Sequence, residues 1–225
     1  MHGKEFYLGL DIGQAKDYTA LCAVERVIDV SLKEGAMIAM YNVRHLETFP
    51  LGTPYGDIVE HVSILMEQPE LLHDTTLIID KTGVGSAVFE MFESAGIYPI
   101  GITITGGEKI TQVSGGYNVP KAELVDALAV SFQNGRIVIA DELSEGERLA
   151  TQLESFQVKI KKRSGRESFE AMEEETHDDL VLALSLAVWY GNRNGVSTQG
   201  FETGLQNDEE INKSFNPLTG TIDKC

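Results

Sequence analysis

Positive charge is scarce in this 225-residue chain: 18 Lys and Arg stand against 35 Asp and Glu, a net charge of −17. Nucleic acid and anionic membrane would both be repelled on average, so non-specific adhesion to either is disfavoured. A local basic patch, or an acidic site loaded with metal, is compatible with that balance. Cysteine is scarcer still. Cys22 lies in an apolar stretch and Cys225 is the last residue. That excludes a disulfide framework and a zinc set of clustered thiolates and imidazoles, and a reducing, intracellular setting is expected. The longest apolar run, 180–190, is broken only by Ser185. It reaches about half of the roughly 20 residues a membrane-spanning helix needs, so it is read as a buried core helix. The opening MHGKEFYLGLDIG has no apolar core with a small-residue cleavage site, so no secretory signal is expected. Internal repeats are absent. What is present, 42% hydrophobic and 24% charged residues, is ordinary for a folded domain and rules out disorder of the whole chain.

Hydrophobic patterning gives the element order. Phe6–Ile12 and Thr19–Val27 are β-prone runs joined by the polar GQAKDY, the pattern of an antiparallel hairpin. Residues 36–43 alternate as a third strand. Ile58, Val59, Val62, Leu65 and Met66 then recur at helical spacing. Leu77, Ile78 and Ile79 form a short buried strand ending at Asp80, and the turn TGVGS leads into a helix carrying Val88, Met91 and Phe92. Another strand covers 99–105. Pro120 suits the first position of a helix with Leu124, Val125, Leu128 and Val130 on its apolar side. A short strand over 136–140 and a helix over 143–156 follow. Val158–Phe169, with turn residues Ser164 and Gly165, is read as an exposed hairpin, and the last helix runs from about Thr176 to Gly191. From 195 onward Gly, Ser, Thr, Asn and acids dominate, so 1–194 is read as one domain and 195–225 as a mobile or loosely docked acidic tail. The expected fold is α/β: a mixed five-stranded sheet, its first three strands antiparallel, flanked by helices and carrying an added β-hairpin. This is the ribonuclease H-like order.

Acidic residues fall at the ends of these elements. Asp11 follows LGL at the end of the first strand, and Asp80 follows LII at the end of the fourth. Ligand sites in open α/β sheets gather at the carboxyl ends of strands. If those strands are adjacent and parallel, two carboxylates meet there and repel unless a cation intervenes or one is protonated. Hard oxygen donors of this kind suit Mg²⁺ or Mn²⁺. Either Asp alone is also explained as the end of a strand at a turn. In THDDLVLALSLAVWY, Asp178 and Asp179 open the apolar helix. Thr176 and Asp179 have capping-box spacing, and acids are favoured at a helix N-terminus in any case. Two adjacent acids exceed what a cap requires. Adjacent helical residues diverge by about 100°, so one Asp of the pair faces the site, and the spacing does not choose between them. His177 is a candidate general base or outer ligand, or simply a surface residue. Asp17 is a candidate water-holding group, or a turn-stabilising one. The TGVGS glycines could admit a phosphate to backbone N–H groups, or merely permit the turn.

The charge reverses locally at KIKKRSGR, which holds Lys159, Lys161, Lys162, Arg163 and Arg166 and no acid. On an exposed hairpin this island would supply phosphate contacts that position a duplex without reading its sequence, or would be a solvated turn with no partner. Lys81, Lys109 and Lys121 lie on loops or helix starts that could border the same face.

The segments LGLDIGQAKDYTAL, LIIDKTGVGSAVFEMF, GITITGGE, NVPKAELV, GRIVIA and THDDLVLALSLAVW span about residues 5 to 191. In order and content they resemble the C-terminal nuclease domain of the large terminase subunit of tailed bacteriophages. The pairing of IDKTGVG with HDDLVLALSLA carries the resemblance; LGLDIG is shared with actin-like ATPases and resolvases. The resemblance implies two Mg²⁺ or Mn²⁺ ions, with Asp11 bridging both, Asp80 binding one and Asp179 the other, and with Asp178 as the adjacent candidate. It implies an endonuclease that cuts double-stranded viral DNA during genome packaging, in the host cytoplasm, by two-metal phosphodiester hydrolysis. The basic hairpin, with Lys81 and Lys121, would then border the DNA groove. The portal and the small terminase subunit would be partners. Large terminase subunits also carry an N-terminal ATPase with a GxxxxGK phosphate loop. None occurs here, so an excised domain or fragment is expected, with weak and salt-sensitive DNA affinity of its own. The competing readings are a Holliday-junction resolvase, an actin-like ATPase or sugar-kinase fragment, and a non-catalytic scaffold that keeps the fold.

Overall fold

The computed structural model describes residues 4–14, 16–29, 38–72, 74–140, 142–163 and 178–194, together with 215–216 and 221–222. Contacts divide the chain into two units, Met1–Gly195 and Val196–Cys225. In the second, the described part is a two-stranded antiparallel ladder, Phe215–Asn216 with Thr221–Ile222. The rest of the tail read over 195–225 lies outside the described residues.

The first unit is built on one sheet. Its strands are β1 (Glu5–Asp11), β2 (Thr19–Asp29), β3 (Ile38–Phe49), β4 (Thr75–Asp80), β5 (Ile100–Thr105), β6 (Thr111–Val113), β7 (Gly116–Pro120) and β8 (Ile137–Ile139). The helices are α1 (Tyr55–Met66), α2 (Gly85–Ser94), α3 (Lys121–Gln133), α4 (Gly146–Arg163) and α5 (Asp179–Asn194). The strand order is β6-β7-β5-β4-β1-β2-β3-β8. β1, β2 and β3 are mutually antiparallel, while β4 runs parallel to β1, and β5 parallel to β4. This is the mixed sheet, with its first three strands antiparallel, expected from the element order.

The sheet has eight strands among the described residues rather than the expected five. One edge takes up the short strand expected over 136–140, as β8, and the other carries β6 and β7, which were not expected. β6 is exposed along its whole length, so it has no buried face to write an alternating pattern into the sequence. β7 begins at a glycine and ends at a proline, both of which mimic loop composition. The basic hairpin is a second correction. Val158–Arg163 continues α4 as unbroken helix. Lys, Arg, Gln and Ile permit helix, and neither Gly nor Pro interrupts the run before Ser164. Ser164, Gly165 and the far arm lie outside the described residues, as do Thr176 and His177 of the expected last-helix start.

Strand alternation sorts β1 onto two cores. Leu8 and Leu10 face a cluster with Ile58, Val62, Val88 and Phe92 of α1 and α2. Tyr7 faces the opposite cluster, which includes Leu124 and Leu128 of α3 and Leu180, Leu184 and Val188 of α5. With a period of two, Gly9 and Asp11 fall on the α5 side with Tyr7. In β4, Leu77 and Ile79 belong to the first cluster and Ile78 to the second, which puts Asp80 on the α5 side too. The register Leu10↔Ile79 brings Asp11 and Asp80 level at the carboxyl ends of neighbouring parallel strands.

One buried acid serves stability instead. Glu25 of β2 is 2% exposed. It pairs with Lys4 at 2.8 Å and accepts from Arg44 Nε at 2.8 Å and from Asn42 at 3.4 Å. Burial works to raise its carboxyl, but these donors outweigh it and hold the group below the ordinary range. A lowered folded-state value stabilises above the unfolded value of about 4.3 and is lost as pH falls through the folded one. Glu25→Gln is therefore expected to cost about 1–3 kcal/mol at neutral pH and to flatten the acid limb. Melts of both proteins across the acid range check this; parallel pH curves would contradict it.

A carboxylate cluster at the end of the sheet

Three acidic side chains converge where β1 and β4 end and α5 begins. Asp11 is 8% exposed and Asp179 is 6% exposed, while Asp80 is half-buried. α5 reaches this place because β1 carries a glycine. A Cβ at Gly9 would overlap the Ala183 carbonyl oxygen and come within 3.2 Å of the Ala187 nitrogen. The helix thus lies directly on the strand backbone. Asp179 is four residues before Ala183, one turn along the same helix face, and so sits over Asp11, two residues beyond Gly9.

The electrostatics follow from this crowding. Burial pushes the Asp11 carboxyl well above the usual range, and the neighbouring Asp80, Asp179 and Asp178 push it further, with Lys121 opposing. Asp80 is also raised by burial, against hydrogen bonding from Thr82 and the charge of Lys121. The backbone N–H of Thr82 donates to Asp80 Oδ1 at 2.8 Å, and the Thr82 hydroxyl accepts from the Ile104 N–H at 2.9 Å. That pair of bonds ties the Asp80 turn to β5. Gly85 is needed there for close approach, since a Cβ would overlap the Asp80 carbonyl oxygen.

The adjacent acids of α5 are separated by the helix. Asp179, its first residue, is buried toward Asp11. Asp178 precedes it with a side chain 23% exposed, and its Oδ2 lies 3.8 Å from Lys121 Nζ. Lys121 starts α3 directly after β7, and its charge acts on Asp11 and Asp80 as well as on Asp178. Lys81 has its ammonium 4.0 Å from the centroid of the Phe89 ring, with its stem against Gly101. Lys109 is exposed in the β5–β6 loop, and Asp17 is exposed in the β1–β2 turn. The Asp17 backbone N–H donates to Gln14 O at 2.9 Å, which suits a turn residue. Lys159, Lys161, Lys162 and Arg163 lie on the last turns of α4, and Arg166 and His177 lie outside the described residues.

Gly9, Thr82 and Gln152 are structural contributors that residue type alone does not mark. Gly9 leaves a faint signal, as an apolar strand interior that gives up its side chain directly before the Asp. Thr82 is two residues after Asp80, the spacing of an Asx-type turn. Gln152, whose Oε1 accepts from the Leu180 N–H at 3.0 Å, leaves no local signal because its partner is on another helix.

Among the described residues no group of three or more His, Cys, Asp or Glu side chains is placed to hold a metal ion. In chemistry, though not in present spacing, Asp11, Asp80 and Asp179 suit a hard divalent cation, since they offer carboxylate oxygens, two of them on buried side chains. Among the described residues no helix is long and apolar enough to cross a membrane.

No family model matches the chain, and no curated protein matches it. Solved structures do. The large terminase nuclease from thermophilic phage G20c is similar at 20% identity, covering 84% of this chain and 82% of that one, with a TM-score of 0.49. The human cytomegalovirus terminase nuclease domain, soaked in Mn, is similar at 14% identity, covering 83% of each chain, also with a TM-score of 0.49. Thermus thermophilus RuvC is similar at 14% identity over 84% of this chain and 97% of its own, with a TM-score of 0.36.

Proposed function

We propose that this chain is a metal-dependent endonuclease that hydrolyses phosphodiester bonds of double-stranded DNA, serving viral genome packaging. The observation that carries this reading is the convergence of Asp11, Asp80 and Asp179. Three carboxylates from two parallel strand ends and a helix start share one buried place, at a cost in repulsion that folding alone does not repay. Asp11 would face two Mg²⁺ or Mn²⁺ ions, Asp80 one of them and Asp179 the other. When bound, such ions acidify a water and stabilise charge on the attacking and leaving oxygens of an in-line displacement. The protein's own part is placement. Thr82 orients the Asp80 carboxylate, and the Gly9 contact seats Asp179. Lys121 neutralises Asp178 and supplies a positive charge beside the scissile phosphate. The basic end of α4 supplies backbone contacts to the duplex. On this reading the portal and the small terminase subunit are partners, and the host cytoplasm is the place of action.

The test is Mn²⁺-dependent nicking of supercoiled plasmid. Asp179→Asn is expected to lose at least about 10²-fold in rate, a barrier increase of roughly 2.7 kcal/mol or more. Asp178→Asn is expected to stay within about tenfold of the parent, since that side chain pairs with Lys121 at the rim. The reverse ranking would exchange their roles. Cleavage undiminished by a chelator would overturn the metal-dependent reading itself.

A further inference from the structure

Helix α4 carries a glutamine where its packing face calls for an apolar side chain. Leu149 is fully buried, Leu153 packs against the same core, and Gln152 between them is 7% exposed. A buried amide is costly unless it is hydrogen-bonded. Gln152 Oε1 accepts from a backbone donor, the N–H of Leu180 at 3.0 Å.

That donor is the second residue of α5. The ladder of α5 starts with Leu182 N–H donating to Asp178 O at 2.9 Å, so the Leu180 N–H has no intrahelical acceptor. The usual acceptor for such a group is the side chain of a residue just before the helix. Here it comes from another helix, 28 residues earlier in the chain. The constraint therefore falls on the peptide plane immediately after Asp179. Fixing that plane fixes the dihedral angles of the first turn, and with them the direction in which the Asp179 side chain leaves the backbone. Helix ends fray; this one is pinned at the residue beside the acid.

We propose that Gln152 is a positioning residue for the divalent-cation site. It clamps the first turn of α5 so that the Asp179 carboxylate is held over Asp11. This rests on the reading of Asp179 as a metal ligand.

The experiment compares three variants with the parent. Gln152→Leu keeps the apolar bulk and removes the acceptor. Gln152→Glu keeps an acceptor oxygen at the same reach. Asp179→Asn removes the ligand. Mn²⁺ affinity is measured by calorimetry, and amide hydrogen exchange at residues 179–181 is followed in chelator. Gln152→Leu is expected to weaken Mn²⁺ binding by about 10–100-fold, the usual range for partners that orient a metal ligand. It should also accelerate exchange at 179–181 selectively, and Gln152→Glu should restore slow exchange. A purely structural role would lower Tm but leave Mn²⁺ affinity unchanged, and that result overturns the proposal. If Asp179→Asn weakens Mn²⁺ binding while Gln152→Leu does not, the positioning role alone is refuted. If Asp179→Asn binds Mn²⁺ like the parent, the site reading fails first.

Discussion

Asp11→Asn is expected to abolish cleavage and, at the same time, to make the metal-free protein more resistant to heat. Both halves come from one fact. Asp11 is a buried carboxyl whose neighbours include Asp80, Asp179 and Asp178, with Lys121 the opposing charge. Without a cation this crowding opposes folding; with one it becomes a donor set. An amide of the same shape cannot carry the negative charge that a cation needs, so the nicking rate should fall by about 10³-fold or more, equivalent to roughly 4 kcal/mol. The same amide no longer repels three carboxylates. The gain is limited because the amide must itself find hydrogen-bond partners. About 1 kcal/mol is expected, or a Tm higher by roughly 2–4 °C for a domain of this size. The parent and the variant should then respond oppositely to Mn²⁺: the parent gains Tm by mass action, and the variant changes little. Plasmid nicking and thermal melts, with and without chelator, check both halves. A variant that cuts at near parental rates would remove Asp11 from the chemistry. One that melts lower in chelator would refute the repulsion argument.

Gly9→Ala is expected to have a large effect although it adds or removes no charge. The added methyl would meet the Ala183 carbonyl oxygen, with the Ala187 nitrogen 3.2 Å away. Both are backbone atoms of a buried helix and cannot rotate aside, so α5 must lift from β1. Overpacking of this kind costs about 1–3 kcal/mol, sometimes more, and a backbone obstacle places it at the upper end. The functional loss should exceed what the stability loss explains. Asp179 is one turn from Ala183, and a displacement of about 1 Å at a reacting centre can cost on the order of 10²-fold. Gly106→Ala is the control: nothing lies within 4 Å of a Cβ there, and both Tm and nicking should be unchanged. If Gly9→Ala retains parental rates well below its melting temperature, the close contact of α5 does not set the position of Asp179.

Much of the placement of these carboxylates is legible in the chain alone, because strand ends and periodicity are local features. LGLD and LIID each announce a buried strand stopping at an acid, and the period of two puts both acids on one side of the sheet once their strands are parallel neighbours. The choice between Asp178 and Asp179 was not legible. It depends on how α5 lies on β1, and so on the close contact at Gly9, which is remote in sequence. The basic hairpin failed for a related reason: KIKKR satisfies helix and strand equally, and α4 continues a pattern begun at Leu149. β6 was invisible because a fully exposed edge strand has no apolar face. Gln152 was invisible because its partner is a backbone N–H, which no residue type advertises.

The two-sided packing of β1 bears on how this protein can change over time. Leu8 and Leu10 serve one core, and Tyr7, Gly9 and Asp11 face the other. Inserting or deleting one residue within the strand would exchange those sets, turning Leu10 toward α5 and Asp11 into the α1 and α2 core. The same holds for Ile79 and Asp80 in β4. Substitutions in these strands are graded, but changes of length there are all-or-none. The exposed β6 edge has no such parity to keep, so lineages should vary in length there while β1 and β4 hold their residue count.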